Sequence, residues 1–200
     1  MRSHVTKTVS GCFAALRQIR SIRRSVSRPV LLSLVTSLVL SRLDYGSATL
    51  AGLPQYHLDR LQSVLNAAAR LVYSARRYDH VTPLLQELHW LKVPQRIEYK
   101  HAVLAYRCLH DMAPSYLADY LHRVADVHSR QRLRSASTPA LVVPPTRLIT
   151  VGDRAFPVFA ARVWNGLPLS VTTSPSLPSF RRQLKTVLFA RSYPSCSSRV

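Results

Sequence analysis

The chain has 200 residues, 47% of them hydrophobic, and its 28 Lys and Arg against 9 Asp and Glu give a formal charge of +19. The hydrophobic content is sufficient for a core, so obligatory disorder is excluded, and the excess positive charge favours a polyanionic partner, with nucleic acid ahead of an anionic membrane surface. No segment reads as a membrane span or a secretory signal, so we expect an intracellular protein, nuclear or cytoplasmic, that is not secreted and does not bind a membrane.

The first part of the chain predicts a bundle of helices. Apolar residues recur at helical spacing from Val5 to Ser21, and Pro29 begins a second helix, apolar almost all round, that should reach Asp44 and lie at the centre of the fold. From Leu58 to Val72 apolar positions recur at spacings of three and four, which predicts the clearest helix. Further helices are predicted at Asp79 to Trp90, Pro94 to His110 and Pro114 to Leu121.

The second part predicts a smaller unit. Two short β-prone runs, Leu141 to Val143 and Leu148 to Val151, predict a loose hairpin whose pairing is limited by the prolines between them. A helical stripe beginning at Phe156 is stopped by Gly166, and Ser176 is a good N-cap for a last helix. The fold class is therefore mainly α, divided into a helical bundle (1–124), a basic linker (125–137), a small helix-plus-hairpin unit (138–189) and a disordered tail (190–200).

Several segments follow one another along nearly the whole chain in an order typical of one family. They read SRLDYGSATLAGLPQYHLDRLQSVLNAAARLV (Ser41 to Val72), DHVTPLLQELHWLKVPQRIEYK (Asp79 to Lys100), LHDMAPSYL (Leu109 to Leu117), GDRAFPVFAARVWNGLP (Gly152 to Pro168) and SPSLPSFRRQLKTVLF (Ser174 to Phe189). Together they resemble the region just after the polymerase core in reverse transcriptases of LINE-type, non-long-terminal-repeat retrotransposons, the jockey and chicken-repeat group. The resemblance implies that the first part is thumb-like, that it follows the palm and grips a primer and template duplex, and that the chain is a fragment of a longer enzyme.

Residues for catalysis are not apparent. Template-directed polymerisation needs carboxylates that hold two magnesium ions, whereas the acidic residues here are isolated and include no adjacent Asp pair. Family members carry their paired aspartates upstream of the matching part, so we expect a non-catalytic chain whose intact parent would be an RNA-directed DNA polymerase. Glycine-rich phosphate loops and a Gly-x-Ser-x-Gly elbow are also missing from the sequence. We expect no cofactor and no small-molecule substrate.

Metal binding is not expected either. Cys12, Cys108 and Cys196 are widely spaced and odd in number, which argues against a disulfide framework and a structural zinc site. The best set of candidate ligands, on one predicted helix, consists of His101, Cys108, His110 and Asp111. It does not converge, because His110 points about 160° away from Cys108 at about 100° per residue. His101 is therefore better explained as a hydrogen-bonded core histidine.

Basic clusters carry the remaining functional prediction, and each also has a simpler explanation. The candidate nucleic-acid-binding residues are Arg17, Arg20, Arg23, Arg24, Arg28, Arg76, Arg77, Arg130, Arg132 and Arg134. The first five could instead be a solvated helix margin, Arg76 and Arg77 could complement a helix C-terminus, and the last three could be a solvated loop. Arg181, Arg182 and Lys185 are most simply the solvent face of the last helix, and Trp90 and Trp164 are better placed in the core than against bases.

The leading prediction is a part of a retrotransposon reverse transcriptase that binds RNA or an RNA–DNA duplex through arginine–phosphate contacts. One alternative is an inert relic with inherited basicity. Gly46, Ser47 and Lys92 depart from the family's usual residues, which fits such decay. The other alternative is a helical interaction module for an acidic protein partner.

Overall fold

The structure is a computed structural model that describes residues 2–126, 139–148 and 151–194. Within these ranges the fold is mainly helical and contains no β-strand, only an isolated bridge between Arg123 and Leu141. The predicted fold class is therefore confirmed. The described residues form two compact units, one within 2–96 and 189–194 and the other within 97–188. Among the described residues no helix is both long and apolar enough to cross a lipid bilayer.

The first unit is built around two long helices, α1 (Arg2–Ile22) and α4 (Gln55–Tyr73), which pack against each other. The buried stripe of α1 consists of Val5, Val9, Cys12, Ala15, Leu16 and Ile19, in agreement with the spacing in the sequence. The stripe of α4 includes Leu61, Val64, Leu65, Ala68 and Val72. Apolar side chains at spacings of three and four thus give each helix one buried face, and both helices extend a few residues beyond their predicted ends.

The second helix of this unit is continuous but irregular. It comprises α2 (Arg28–Val35), a π-helical turn (Thr36–Leu40) and α3 (Ser41–Asp44). The hydroxyls of Thr36 and Ser37 donate to the backbone carbonyls of Leu32 and Leu34 at 2.8 and 3.3 Å, within the helix. The expectation that this helix is central is wrong, because only one face is buried while Val30 and Leu38 are 48% and 41% exposed.

The rest of the first unit consists of α5 (Thr82–Glu87), the start of α6 (Val93–Leu109) and the end of α10 (Leu177–Ser192). Residues 190–194 of the predicted disordered tail are ordered, because α10 continues to Ser192 and Tyr193 is only 7% exposed, whereas residues 195–200 lie outside the described residues. The Tyr193 hydroxyl donates to the backbone carbonyl of Trp90 at 2.7 Å. The Tyr193 ring also contacts the Phe189 ring, at a centroid distance of 4.9 Å. Together these contacts fix the end of α10, where the polar composition predicts a frayed segment.

The second unit contains most of α6, α7 (Ser115–Ala118), α8 (Phe156–Asn165), α9 (Leu169–Thr172) and most of α10. Its core includes an aromatic stack in which Phe180 lies between Tyr106 and Trp164, at centroid distances of 4.4 and 5.8 Å. Ser176 caps α10 as predicted, its hydroxyl accepting from the Ser179 amide at 3.4 Å. Trp164 donates from Nε1 to the Pro139 carbonyl at 2.8 Å. Trp90 and Trp164 are both buried, which confirms their prediction as core residues.

The predicted hairpin is not formed by the described residues. Leu141 forms its bridge with Arg123, and the flanking bonds join Val124 to Ala140 and Val142 to His122, each at 2.9 Å. The other side of Leu141 is bonded by the Asn165 side chain, whose Oδ1 accepts from the Leu141 amide and whose Nδ2 donates to its carbonyl, both at 2.8 Å. The segment around Leu141 therefore has hydrogen-bond partners on both sides. Pro144 and Pro145 have no amide hydrogen and cannot extend the pairing.

The units divide between Arg96 and Ile97, and between Leu188 and Phe189, whereas the sequence predicts a division at a linker over residues 125–137. Only 125 and 126 of that linker are among the described residues, and there they end a short 3-10 turn (Val124–Asp126). The observed division follows the packing of side chains that are distant along the chain, which a lapse in apolar periodicity does not reveal.

Candidate nucleic-acid interface

The last turns of α1 carry an exposed arginine face. Arg17 and Arg20 are exposed and three residues apart, so they are neighbours on one side of the helix, at the margin of the buried stripe that ends at Ile19. Arg24 is also exposed and lies in the 3-10 turn (Arg23–Ser25) that follows, while Arg23 is half-buried. The structure thus brings three of the predicted residues to the surface on adjoining turns of chain.

The charge around this face is unbalanced. Asp44 is the first acidic residue of the sequence, and eight basic residues precede it: Arg2, Lys7, Arg17, Arg20, Arg23, Arg24, Arg28 and Arg42. No acidic residue lies close along the chain to neutralise the arginines of α1, so the charge of this stretch favours an anion. A search of the sequence for clusters of arginine alone overlooks this long acid-free stretch, which is the stronger indication of an anion-binding surface.

Arg28 is separated from this group by its partners. Its Nη2 lies 3.0 Å from Oε1 of Glu87, and its guanidinium carbon lies 4.0 Å from the centre of the Tyr73 ring. Hydrogen bonds from Tyr73 and Arg28 lower the pKa of the Glu87 carboxyl. The Arg28 and Glu87 side chains are 54% and 62% exposed, so the ion pair is a surface contact of small value. Glu87 offsets part of the charge of Arg28 and competes with a phosphate for its guanidinium, and the assignment of Arg28 as a binding residue stays a prediction.

Arg76 and Arg77 lie in the turn after α4, and both are exposed. The helix end itself is closed by backbone groups: the Ser74 amide donates to the carbonyls of Arg70 and Leu71, and the Ala75 amide donates to Arg70 at 3.0 Å. Because Ser74 has a φ of 58°, the chain leaves the helix in the left-handed conformation typical of such caps. Capping therefore does not need either arginine side chain.

The remaining predicted residues, Arg130, Arg132 and Arg134, lie outside the described residues. Arg181, Arg182 and Lys185 are exposed on α10, whereas Leu184 and Leu188 are buried, as expected for a solvent face. The structure places these three in the second unit and Arg17, Arg20 and Arg24 in the first.

Acidic residues of both units pair with arginines, and beside Glu87 these are Asp44 and Asp153. Asp44 accepts two hydrogen bonds from Arg96, at 3.0 and 2.6 Å, and Asp153 lies 2.9 Å from Nη2 of Arg162. The hydrogen bond from Arg162 is the main cause that lowers the pKa of Asp153. Within residues 2–126, 139–148 and 151–194, no three His, Cys, Asp or Glu side chains are grouped so that they could hold a metal ion.

Of the four candidate metal ligands predicted on one helix, His101 and Cys108 lie on α6, whereas His110 and Asp111 lie in the turn that follows it. His101 is 2% exposed, its Nδ1 lies 2.9 Å from the Ile97 carbonyl, and its ring meets the edge of Phe159 at a centroid distance of 4.6 Å. His110 stacks on Tyr106, and burial raises the pKa of the Cys108 thiol. These contacts agree with the prediction of a core histidine at position 101.

Comparison of the chain with models of protein families, with curated proteins and with solved structures found no match in any of the three.

Proposed function

We propose that this chain is a non-catalytic C-terminal part of a retrotransposon reverse transcriptase that binds RNA or an RNA–DNA duplex inside the cell. The binding is made by arginine–phosphate contacts that do not depend on sequence. The observation that carries the proposed binding is the exposed group Arg17, Arg20 and Arg24 within an acid-free stretch of chain, while the proposed origin rests on the resemblance of the sequence segments given above. A guanidinium can donate two parallel hydrogen bonds to a phosphate, so this group suits a nucleic-acid backbone better than a scattered net charge would.

The experiment is a salt titration of binding to an RNA–DNA hybrid, followed by fluorescence anisotropy. Each phosphate contact with a duplex contributes about 0.9 to the slope of log affinity against log salt. Replacing Arg17, Arg20 and Arg24 with Gln should therefore reduce the slope by about 2 to 3 and weaken binding at low salt.

The matched control replaces Arg181, Arg182 and Lys185 with Gln, which removes the same charge from α10 in the second unit. This variant should keep most of the wild-type slope. Equal reductions in the two variants would show that net charge, and not the α1 face, governs binding. Affinity that does not change with salt would exclude phosphate contacts altogether. A nuclease-resistant complex with an acidic protein would favour the interaction-module alternative.

A further inference from the structure

The turn that follows α4 presents one aromatic side chain to solvent between two arginines and an aspartate. The Asp79 amide donates to the Arg76 carbonyl at 3.2 Å, which closes a four-residue turn with Arg77 and Tyr78 at its two central positions. The Tyr78 side chain is 90% exposed, and Arg76 and Arg77 are exposed beside it. A tyrosine left almost wholly in water at the tip of a turn makes no use of its apolar ring in folding.

The backbone of this turn is fixed from behind. The Asp79 carboxylate accepts a hydrogen bond from the Arg76 amide at 2.6 Å, and Nη2 of Arg70, at the end of α4, donates to the Asp79 carbonyl at 3.2 Å. The aspartate and Arg70 therefore hold the loop shape. The side chains of Arg77 and Tyr78 take no part in these bonds, and a central turn position does not require a tyrosine. The loop is thus ordered before any ligand arrives, which lowers the entropy cost of binding.

We infer that the turn formed by Arg76, Arg77, Tyr78 and Asp79 is a binding site for unpaired nucleotides of a single-stranded nucleic acid. The Tyr78 ring stacks on the face of one exposed base, and the guanidinium groups of Arg76 and Arg77 bind the flanking phosphates. A duplex offers phosphates but covers the faces of its bases by stacking, so Tyr78 contributes only when the bases are unpaired. This inference rests on the proposed function and adds to it the class of strand that this turn selects.

The test compares two probes, an end-labelled oligouridylate and a blunt-ended RNA–DNA hybrid, with the full chain. Tyr78→Ala should weaken oligouridylate binding about 5- to 150-fold, the range for removing one base–aromatic stack, and should leave hybrid binding within about twofold of wild type. Tyr78→Trp should retain the oligouridylate affinity because indole also stacks. Replacing Arg76 and Arg77 with Gln should reduce the single-strand salt slope by about 0.7 for each phosphate that the variant no longer binds.

Tyr116→Ala is the matched control, because Tyr116 is 66% exposed but has Asp111 and Asp119 nearby in sequence and no Lys or Arg. It should bind both probes as the wild type does. Unchanged oligouridylate binding in Tyr78→Ala would overturn the inference, as would an equal reduction for both probes. Neither result affects the proposed function, which fails separately if the hybrid is not bound or if its affinity is independent of salt.

Discussion

At the scale of single residues, Tyr193 shows how one hydrogen bond secures the end of a helix. Tyr193→Phe keeps the ring contact with Phe189 but leaves the buried Trp90 carbonyl without its donor. We expect the free energy of unfolding to fall by about 1–3 kcal/mol, the usual cost of an unpaired buried polar group. Urea denaturation measures it, and Tyr78→Phe serves as a control because its hydroxyl is at an exposed site. A decrease of the same size in the control would contradict this account.

The same residue predicts an alkaline effect. Burial is the main cause that raises the pKa of Tyr193 to about 12, from an ordinary value of 10.0. The unfolded chain therefore loses this proton first, and the stability contributed by the neutral phenol declines as the pH rises from about 10 to about 12. We expect the difference in unfolding free energy between wild type and Tyr193→Phe to shrink over this range. A constant difference would show that the phenol ionises equally in both states.

His57 predicts a stability change on the acid side. It is 3% exposed, and its Nδ1 is buried without a hydrogen-bond partner among the described residues. Desolvation, followed by the charges of Arg60 and Arg2, lowers its pKa below the ordinary 6.5. Because the unfolded chain then binds the proton first, stability is full above about pH 7 and is lost as the pH falls through 6.5.

The measurement is the free energy of unfolding at several pH values between about 7.5 and 5, in wild type and in His57→Gln. The variant has no titrating group at this position, so its stability should depend less steeply on pH than that of the wild type. Replacement of His110, which stacks on Tyr106 in the second unit, is the control for histidines in general. Parallel pH profiles of wild type and His57→Gln would rule out His57 as the source of the dependence.

At the scale of elements, Asn165 at the end of α8 holds an extended segment in place. Its amide satisfies both backbone groups of Leu141 and so substitutes for a neighbouring strand. Asn165→Ala should lower the free energy of unfolding by about 2 kcal/mol, because two backbone groups lose their partners in partly buried surroundings. Amide hydrogen exchange gives the specific readout: protection of the Leu141 amide should fall, while the Phe180 amide, bonded within α10's first turn, should keep its protection.

Elements that depend on local spacing are predictable from the sequence. The pattern from Leu58 to Val72 predicts α4, which runs from Gln55 to Tyr73, since its apolar residues repeat at spacings of three and four. The hairpin prediction fails for a nonlocal reason: the partner of Leu141 is an asparagine 24 residues later. The sequence also does not reveal that the second helix is buried on one face only. Composition shows that a helix is apolar but not how many neighbouring elements it contacts.

The candidate site shows the same limit. Exposure of Arg17 and Arg20 follows from helical periodicity within α1, so the sequence predicts it. The ion pair of Arg28 is not predictable, because Glu87 is 59 residues away along the chain. The turn around Tyr78 is recognisable only in part: the sequence displays the pair of arginines, but the role of Asp79 in closing the turn emerges from backbone bonds.

At the scale of the whole molecule, a formal charge of +19 acts on folding and on binding in opposite directions. Repulsion among the basic residues destabilises the folded chain, and added salt screens it over a Debye length that is about 10 Å at 0.1 M. Salt also competes with the protein for phosphates. We therefore expect sodium chloride, raised from about 0.05 to about 0.3 M, to increase the free energy of unfolding while it weakens hybrid binding.

The variant with Gln at positions 17, 20 and 24 separates the two effects. It removes three positive charges from a stretch that has no acid, so its stability at low salt should exceed that of wild type and respond less to sodium chloride. Its affinity for the RNA–DNA hybrid should be lower than that of wild type. Thermal unfolding and anisotropy on the same protein samples measure both. If salt instead lowered wild-type stability, attractive pairs such as Arg96 with Asp44 would dominate the charge balance. A bound polyanion could then not stabilise the fold by reducing repulsion among the basic residues.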